Sequence, residues 1–170
     1  MGNQNDEATR DVIFRVKRGL CGYISFLAAC EMNEAFSEYV LYEPILRILT
    51  ARNYTVKCEY VCPGVTQPAR GDKKRLDFYA TKADSSPFAI EVKWLTSRQL
   101  SIAKDTEKLQ AFHQKVPGAL AFLLLFGRES ALKPLKVNKD TYKEWGKPVY
   151  ADLRRTKYGC RVFRINGPVA

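Results

Sequence analysis

The stretch Phe88-Ala-Ile-Glu-Val-Lys-Trp94 sets a carboxylate and an ammonium two residues apart inside an otherwise apolar run. Side chains of a strand alternate faces, so Phe88, Ile90 and Val92 share one face and Glu91 and Lys93 the other. Two charges bracketed by apolar residues are costly unless they meet solvent, each other or a ligand. An exposed cross-strand charge pair is the plain alternative, and the surrounding chain bears on the choice.

Outward from this strand, the pattern reads as an ordered α/β chain. Residues 34–52 form a helical pattern and "YTVKCEYV" (54–61) alternates as a strand. "CPGVTQPARG" (62–71) is a loop punctuated by Pro63, Gly64, Pro68 and Gly71. "KRLDFYAT" (74–81) is a second strand, joined by the turn "KADSSP" to the strand at 88–94. The segment 101–116 is helical, with Ile102, Leu109, Phe112 and Val116 on one side, and "ALAFLLLF" (119–126) reads as a buried strand. Upstream, Val12, Ile13, Val16, Leu20, Tyr23, Ile24 and Leu27 recur at helical spacing over residues 9–30. Downstream, a short helix is expected at 139–145 and brief strands at 148–152 and 161–165. A strand followed by a helix and a buried strand implies a mixed sheet with helical cover. The expected organisation is a single domain over 1–170: a core at about 34–127, the N-terminal helix, and a small C-terminal α/β extension over 128–170.

Composition narrows the function classes. A hydrophobic fraction of 46% suits a folded core, not a disordered tail. The formal net charge of +10 favours a polyanionic partner such as nucleic acid, with surplus solubilising lysine as the alternative. Five cysteines (Cys21, Cys30, Cys58, Cys62 and Cys160) form no regular framework. Reduced thiols in a cytoplasm are the simplest account, and a zinc site on Cys58, Cys62 and the single His113 would need ligands from scattered segments. Leu27-Ala-Ala-Cys30 mimics a lipoprotein cleavage site, but Asp6, Glu7 and Asp11 precede the apolar run, which is unusual for a signal segment. No apolar run is long enough to span a bilayer as a helix, so no membrane partner is expected. The chain has no Walker-type glycine-lysine loop, no nucleophile-elbow serine, and one histidine for acid–base work.

A second mid-strand charge is Asp77. Leu76, Phe78 and Ala80 are expected on one face, with Arg75, Asp77 and Tyr79 on the other. If the two strands pair as a hairpin, Asp77 comes beside Glu91 and Lys93. Two close carboxylates raise each other's pKa unless a cation lies between them. Lys93 relieves part of that repulsion. A divalent metal relieves more, since a few oxygen donors plus waters is how Mg²⁺ is commonly held.

A helix glutamate, then Asp77, then Glu91-Val92-Lys93, in an αβββαβ order, resembles the PD-(D/E)xK nuclease superfamily, with its restriction-endonuclease-like core. Asp105-Thr-Glu-Lys-Leu109 is similar to the D-x-x-K-L helix that often follows the motif there. The proline of the family's name is absent, because Leu76 precedes Asp77. The resemblance implies that Asp77 and Glu91 bind Mg²⁺ (or Mn²⁺) with the backbone carbonyl of Val92, and that Lys93 orients the attacking water or stabilises phosphorane charge. It implies hydrolysis of phosphodiesters in DNA. Cutting both strands of a duplex would suit a homodimer.

The helix carboxylate is Glu38 or Glu43. At about 100° per residue, Glu38 falls about 20° from Ile45 on the apolar face and Glu43 about 160° away. The phase favours Glu38, although Pro44 can start or kink the helix. Lys73, Lys74 and Arg75 before the Asp77 strand, and Lys104 and Lys108 on the following helix, are candidate phosphate contacts. Trp94 and Tyr79 are candidates for stacking on a base in an opened strand, with packing as the alternative. The competing reading is a non-cleaving nucleic-acid-binding or protein-interaction module on the same fold.

Overall fold

The computed structural model describes residues 4–95, 101–153 and 156–166. Four helices are present among them: α1 (Gln4–Ala29), α2 (Tyr42–Ala51), α3 (Ala103–Lys115) and α4 (Glu129–Leu132). They surround seven strands: β1 (Thr55–Val61), β2 (Arg75–Thr81), β3 (Phe88–Leu95), β4 (Leu120–Arg128), β5 (Tyr142–Glu144), β6 (Val149–Leu153) and β7 (Thr156–Ile165). All seven strands join one mixed sheet in the order β1-β2-β3-β4-β7-β5, with β6 also on β7. The β3–β4 pair is parallel and the others are antiparallel. The parallel pair requires a crossover, and α3 supplies it.

The sheet separates two cores. Val12, Ile13, Val16, Leu20 and Ile24 of α1 pack with α2 onto Phe78, Phe88, Ile90, Val92, Phe122 and Leu124. On the other face, Leu109 and Phe112 of α3 meet Leu76, Ala89, Ala121, Leu123 and Leu125. Strand β4 is therefore apolar on both faces, which is why its sequence shows no alternation. Among the described residues, no helix is long and apolar enough to cross a membrane.

Four expectations are corrected. The helical pattern at 34–52 is broken: 3-10 turns occupy Asn33–Ala35 and Tyr39–Leu41, and α2 begins only at Tyr42. Pro44 then lies in the first turn of α2, where its missing N–H costs nothing. The helix expected at 139–145 is instead the strand β5, paired with Phe163–Ile165 of β7. The brief strand expected at 161–165 is longer: β7 runs from Thr156 to Ile165 and lies against β4 along Phe122–Arg128. Finally, Leu76 does not share a face with Phe78 and Ala80: it packs in the α3-side core, they in the α1-side core.

Candidate active site

That slip of alternation at Asp77 shapes the site. Strands β2 and β3 are paired at Phe78–Ile90, Tyr79–Ala89 and Ala80–Phe88, and the pairing stops there. On β1, Glu59 lies between the Cys58–Phe78 and Tyr60–Leu76 pairs with φ of 50°, a conformation that a side chain with a Cβ rarely adopts. The kink leaves the Val92 N–H without a β2 carbonyl, and Asp77 Oδ2 accepts it at 2.6 Å. The Tyr42 hydroxyl, reaching from α2, also bonds Asp77.

Glu91 follows from β3. It is 2% exposed, on the α3 side. Its Oε2 accepts from Lys108 Nζ at 2.7 Å, while Oε1 is buried with no hydrogen-bond partner among the described residues. Lys108 Nζ also donates to the Arg75 carbonyl at 2.9 Å and lies 3.4 Å from Asp105 Oδ1. Lys93 Nζ lies 3.4 Å from Asp105 Oδ2 and 3.9 Å from Glu38 Oε1. Glu38 Oε2 in turn accepts the Trp94 N–H at 3.1 Å. Of the two helix glutamates, Glu38 reaches the cluster, and Glu43 is exposed and paired with Arg47.

The electrostatics are those of an unbalanced site. Four carboxylates (Glu38, Asp77, Glu91, Asp105) face two ammonium groups (Lys93, Lys108). With all six ionised, the cluster is two charges negative. Burial, then the Asp77 charge, pushes the Glu91 carboxyl up to about 9 against the opposing pull of Lys108. Burial also raises Asp77 and Glu38, against hydrogen bonds from Tyr42 and Val92 on the first and from Trp94 on the second. Burial pulls Lys93 and Lys108 down, but Asp105 and Glu38 around the first, and Glu91 around the second, raise both overall. The two lysines stay cationic.

The remaining expected contacts divide by position. Lys73, Lys74, Arg75 and Lys104 are exposed. Lys73 Nζ donates to the Pro68 carbonyl and Lys74 pairs with Glu107 at 3.0 Å. Lys108 is inside the carboxylate cluster rather than on the outer helix face with Lys104. Two participants were outside the expected set. Asp105, noted only within the helix pattern, is the carboxylate that both lysines share; its three-residue spacing from Lys108 was the available signal. Tyr42 falls one turn after Glu38, and that spacing could have flagged it.

No family model matches this chain, and no curated protein or solved structure does. Among the described residues, no three histidine, cysteine, aspartate or glutamate side chains converge as a ready-made metal cage. Mg²⁺ does not require one: it is commonly held by one or two carboxylates and keeps several waters. Hard oxygen donors, a buried carboxylate oxygen with no partner, and carboxyl groups outnumbering ammonium groups by two all fit a divalent cation.

Proposed function

We propose that this chain is a metal-dependent nuclease with a restriction-endonuclease-like core that hydrolyses phosphodiester bonds in DNA. The observation that carries the reading is the unpartnered, buried Glu91 carboxylate oxygen beside Asp77, in a cluster where carboxyl groups outnumber ammonium groups. Asp77, Glu91 and the Val92 carbonyl are the groups that would hold Mg²⁺ or Mn²⁺, which when bound would supply polarisation of the phosphate and a lowered pKa for the attacking water.

The chain's own side chains do the positioning. Val92 N–H and the Tyr42 hydroxyl fix one Asp77 oxygen set, leaving the carboxylate's orientation determined before any ligand arrives. Lys93 remains an ammonium, so it donates to the water or to a phosphate oxygen and is not the base. Glu38 and Asp105 hold its head group in place. Lys108 keeps Glu91 partly compensated while the ion is absent, a buried counter-charge without which the carboxyl would be protonated more firmly. Exposed Lys73, Lys74, Arg75 and Lys104 serve the flanking phosphates, which position DNA without reading its sequence. A homodimer suits cutting of both strands, and free thiols suit a cytoplasmic setting.

Lys108 on Glu91 also favours a second reading, in which lysines replace the metal and the fold binds nucleic acid without cutting it. Incubation of linear, circular and single-stranded DNA with the protein and Mg²⁺ or Mn²⁺ separates the two. The nuclease reading expects cleavage that Asp77→Ala, Glu91→Gln or Lys93→Ala lowers by about 10²-fold or more. Binding without cleavage under any of these conditions selects the second reading.

A further inference from the structure

The two aromatic residues expected to stack on a base have their rings committed elsewhere. Trp94 packs against Phe126 at 5.0 Å, Tyr158 at 5.8 Å and Phe36 at 5.9 Å. Tyr79 lies on Tyr60 at 4.6 Å and meets Phe112 edge-on at 5.7 Å. Each ring is half-buried against these neighbours, and neither offers a nucleotide a fully open face.

Tyr39 does. It is 79% exposed, more than any other large apolar side chain among the described residues. It directly follows Glu38, and its ring lies 6.0 Å from that of Tyr42, whose hydroxyl bonds Asp77. Tyr39 is therefore next in sequence to one carboxylate of the cluster and one ring away from the tyrosine that bonds another. Its backbone is anchored: it begins a 3-10 turn in which Leu41 is fully buried and donates its N–H to the Glu38 carbonyl at 3.1 Å. A ring held on a fixed turn, yet left in water, is pre-organised to cover an aromatic surface at little entropic cost.

Resting on the nuclease reading above, we infer that Tyr39 stacks on a nucleobase beside the cleaved linkage, and that the site takes DNA whose bases are unpaired there: single strands, frayed ends or flaps. A paired duplex turns phosphates and base edges outward, whereas the flat face of a base becomes available only when it leaves the stack. The exposed lysines supply the phosphate contacts that both forms share. Tyr39 adds the contact that only the opened form can make.

The test is equilibrium binding of a fluorescein-labelled single strand, and of the same sequence as a blunt duplex, in EDTA so that no cleavage intervenes. Wild type, Tyr39→Ala and Tyr39→Trp are compared, with circular dichroism confirming that each is folded. Tyr39→Ala is expected to weaken single-strand binding roughly 5- to 150-fold, the range for one lost stacked base, and to leave duplex binding unchanged. Tyr39→Trp is expected to retain single-strand affinity and to show quenched tryptophan emission on binding. Equal single-strand affinity of wild type and Tyr39→Ala, or an equal loss on both DNA forms, overturns the inference. In that event, metal-dependent cleavage by wild type that Asp77→Ala abolishes leaves the nuclease reading standing. Absence of both binding and cleavage with every nucleic acid overturns the two together.

Discussion

Burial and the Asp77 charge push the Glu91 carboxyl up to about 9, while a divalent ion binds only its ionised form. Below that pH a proton must leave for the ion to enter, so Mg²⁺ affinity rises with pH through the neutral range and levels off above about 9. The slope approaches about tenfold per pH unit where one proton is exchanged for one ion. Calorimetric titration of Mg²⁺ or Mn²⁺ at several pH values reads this directly. Buffers of different ionisation enthalpy should report about one proton released per ion near neutrality. Affinity that does not change with pH would mean that Glu91 is not a ligand. At this scale the sequence exposed Asp77, Glu91 and Lys93 as charges set in apolar strands. It did not expose the sharing of Asp105 between two lysines, because that requires α3 to lie across β3 at one particular depth.

Among the elements, β3 and β4 were legible because their apolar patterns follow directly from burial, on one face for Phe88, Ile90 and Val92 and on both faces for 120–127. β5 was not. Its three residues gain strand geometry only by pairing with β7, and the Trp145 N–H bond to the Val162 carbonyl at 2.7 Å extends that tie. Tertiary pairing here overrides local preference. The slip at Asp77 was hidden for a related reason: strict alternation assumes a regular strand, and the Glu59 kink breaks it. Close approach of β3 and β4 at their far ends supplies a test of the sheet itself. A Cβ at Gly127 would come within 2.7 Å of the Leu95 carbonyl oxygen and 2.9 Å of Leu95 Cβ. Gly127→Ala should therefore spread the parallel pair and cost about 1–3 kcal/mol, read as a lowered urea midpoint with little change in slope. An unchanged midpoint would show that β4 can shift freely at that end.

For the whole molecule, a net charge of +10 accompanies a cluster in which four carboxylates meet only two ammonium groups. A protein that only attracts polyanions gains nothing from such a cluster, whereas a cation held there reconciles the two. The composition announced the basic surface, and the element order announced a helix-covered mixed sheet. Two things lay beyond reach of pattern: the C-terminal strands completing the same sheet, and Tyr39 standing exposed next to a carboxylate of the cluster. Each depends on contacts between segments far apart in the chain. The most direct measurement is anomalous diffraction from crystals of the protein soaked in Mn²⁺, with Glu91→Gln crystals alongside. The account predicts one peak contacted by Asp77 and Glu91 in the wild type, with the Lys108 ammonium drawn away from Glu91, and no peak in the variant. Wild-type crystals that show no manganese there, with Lys108 still bonded to Glu91, would contradict it.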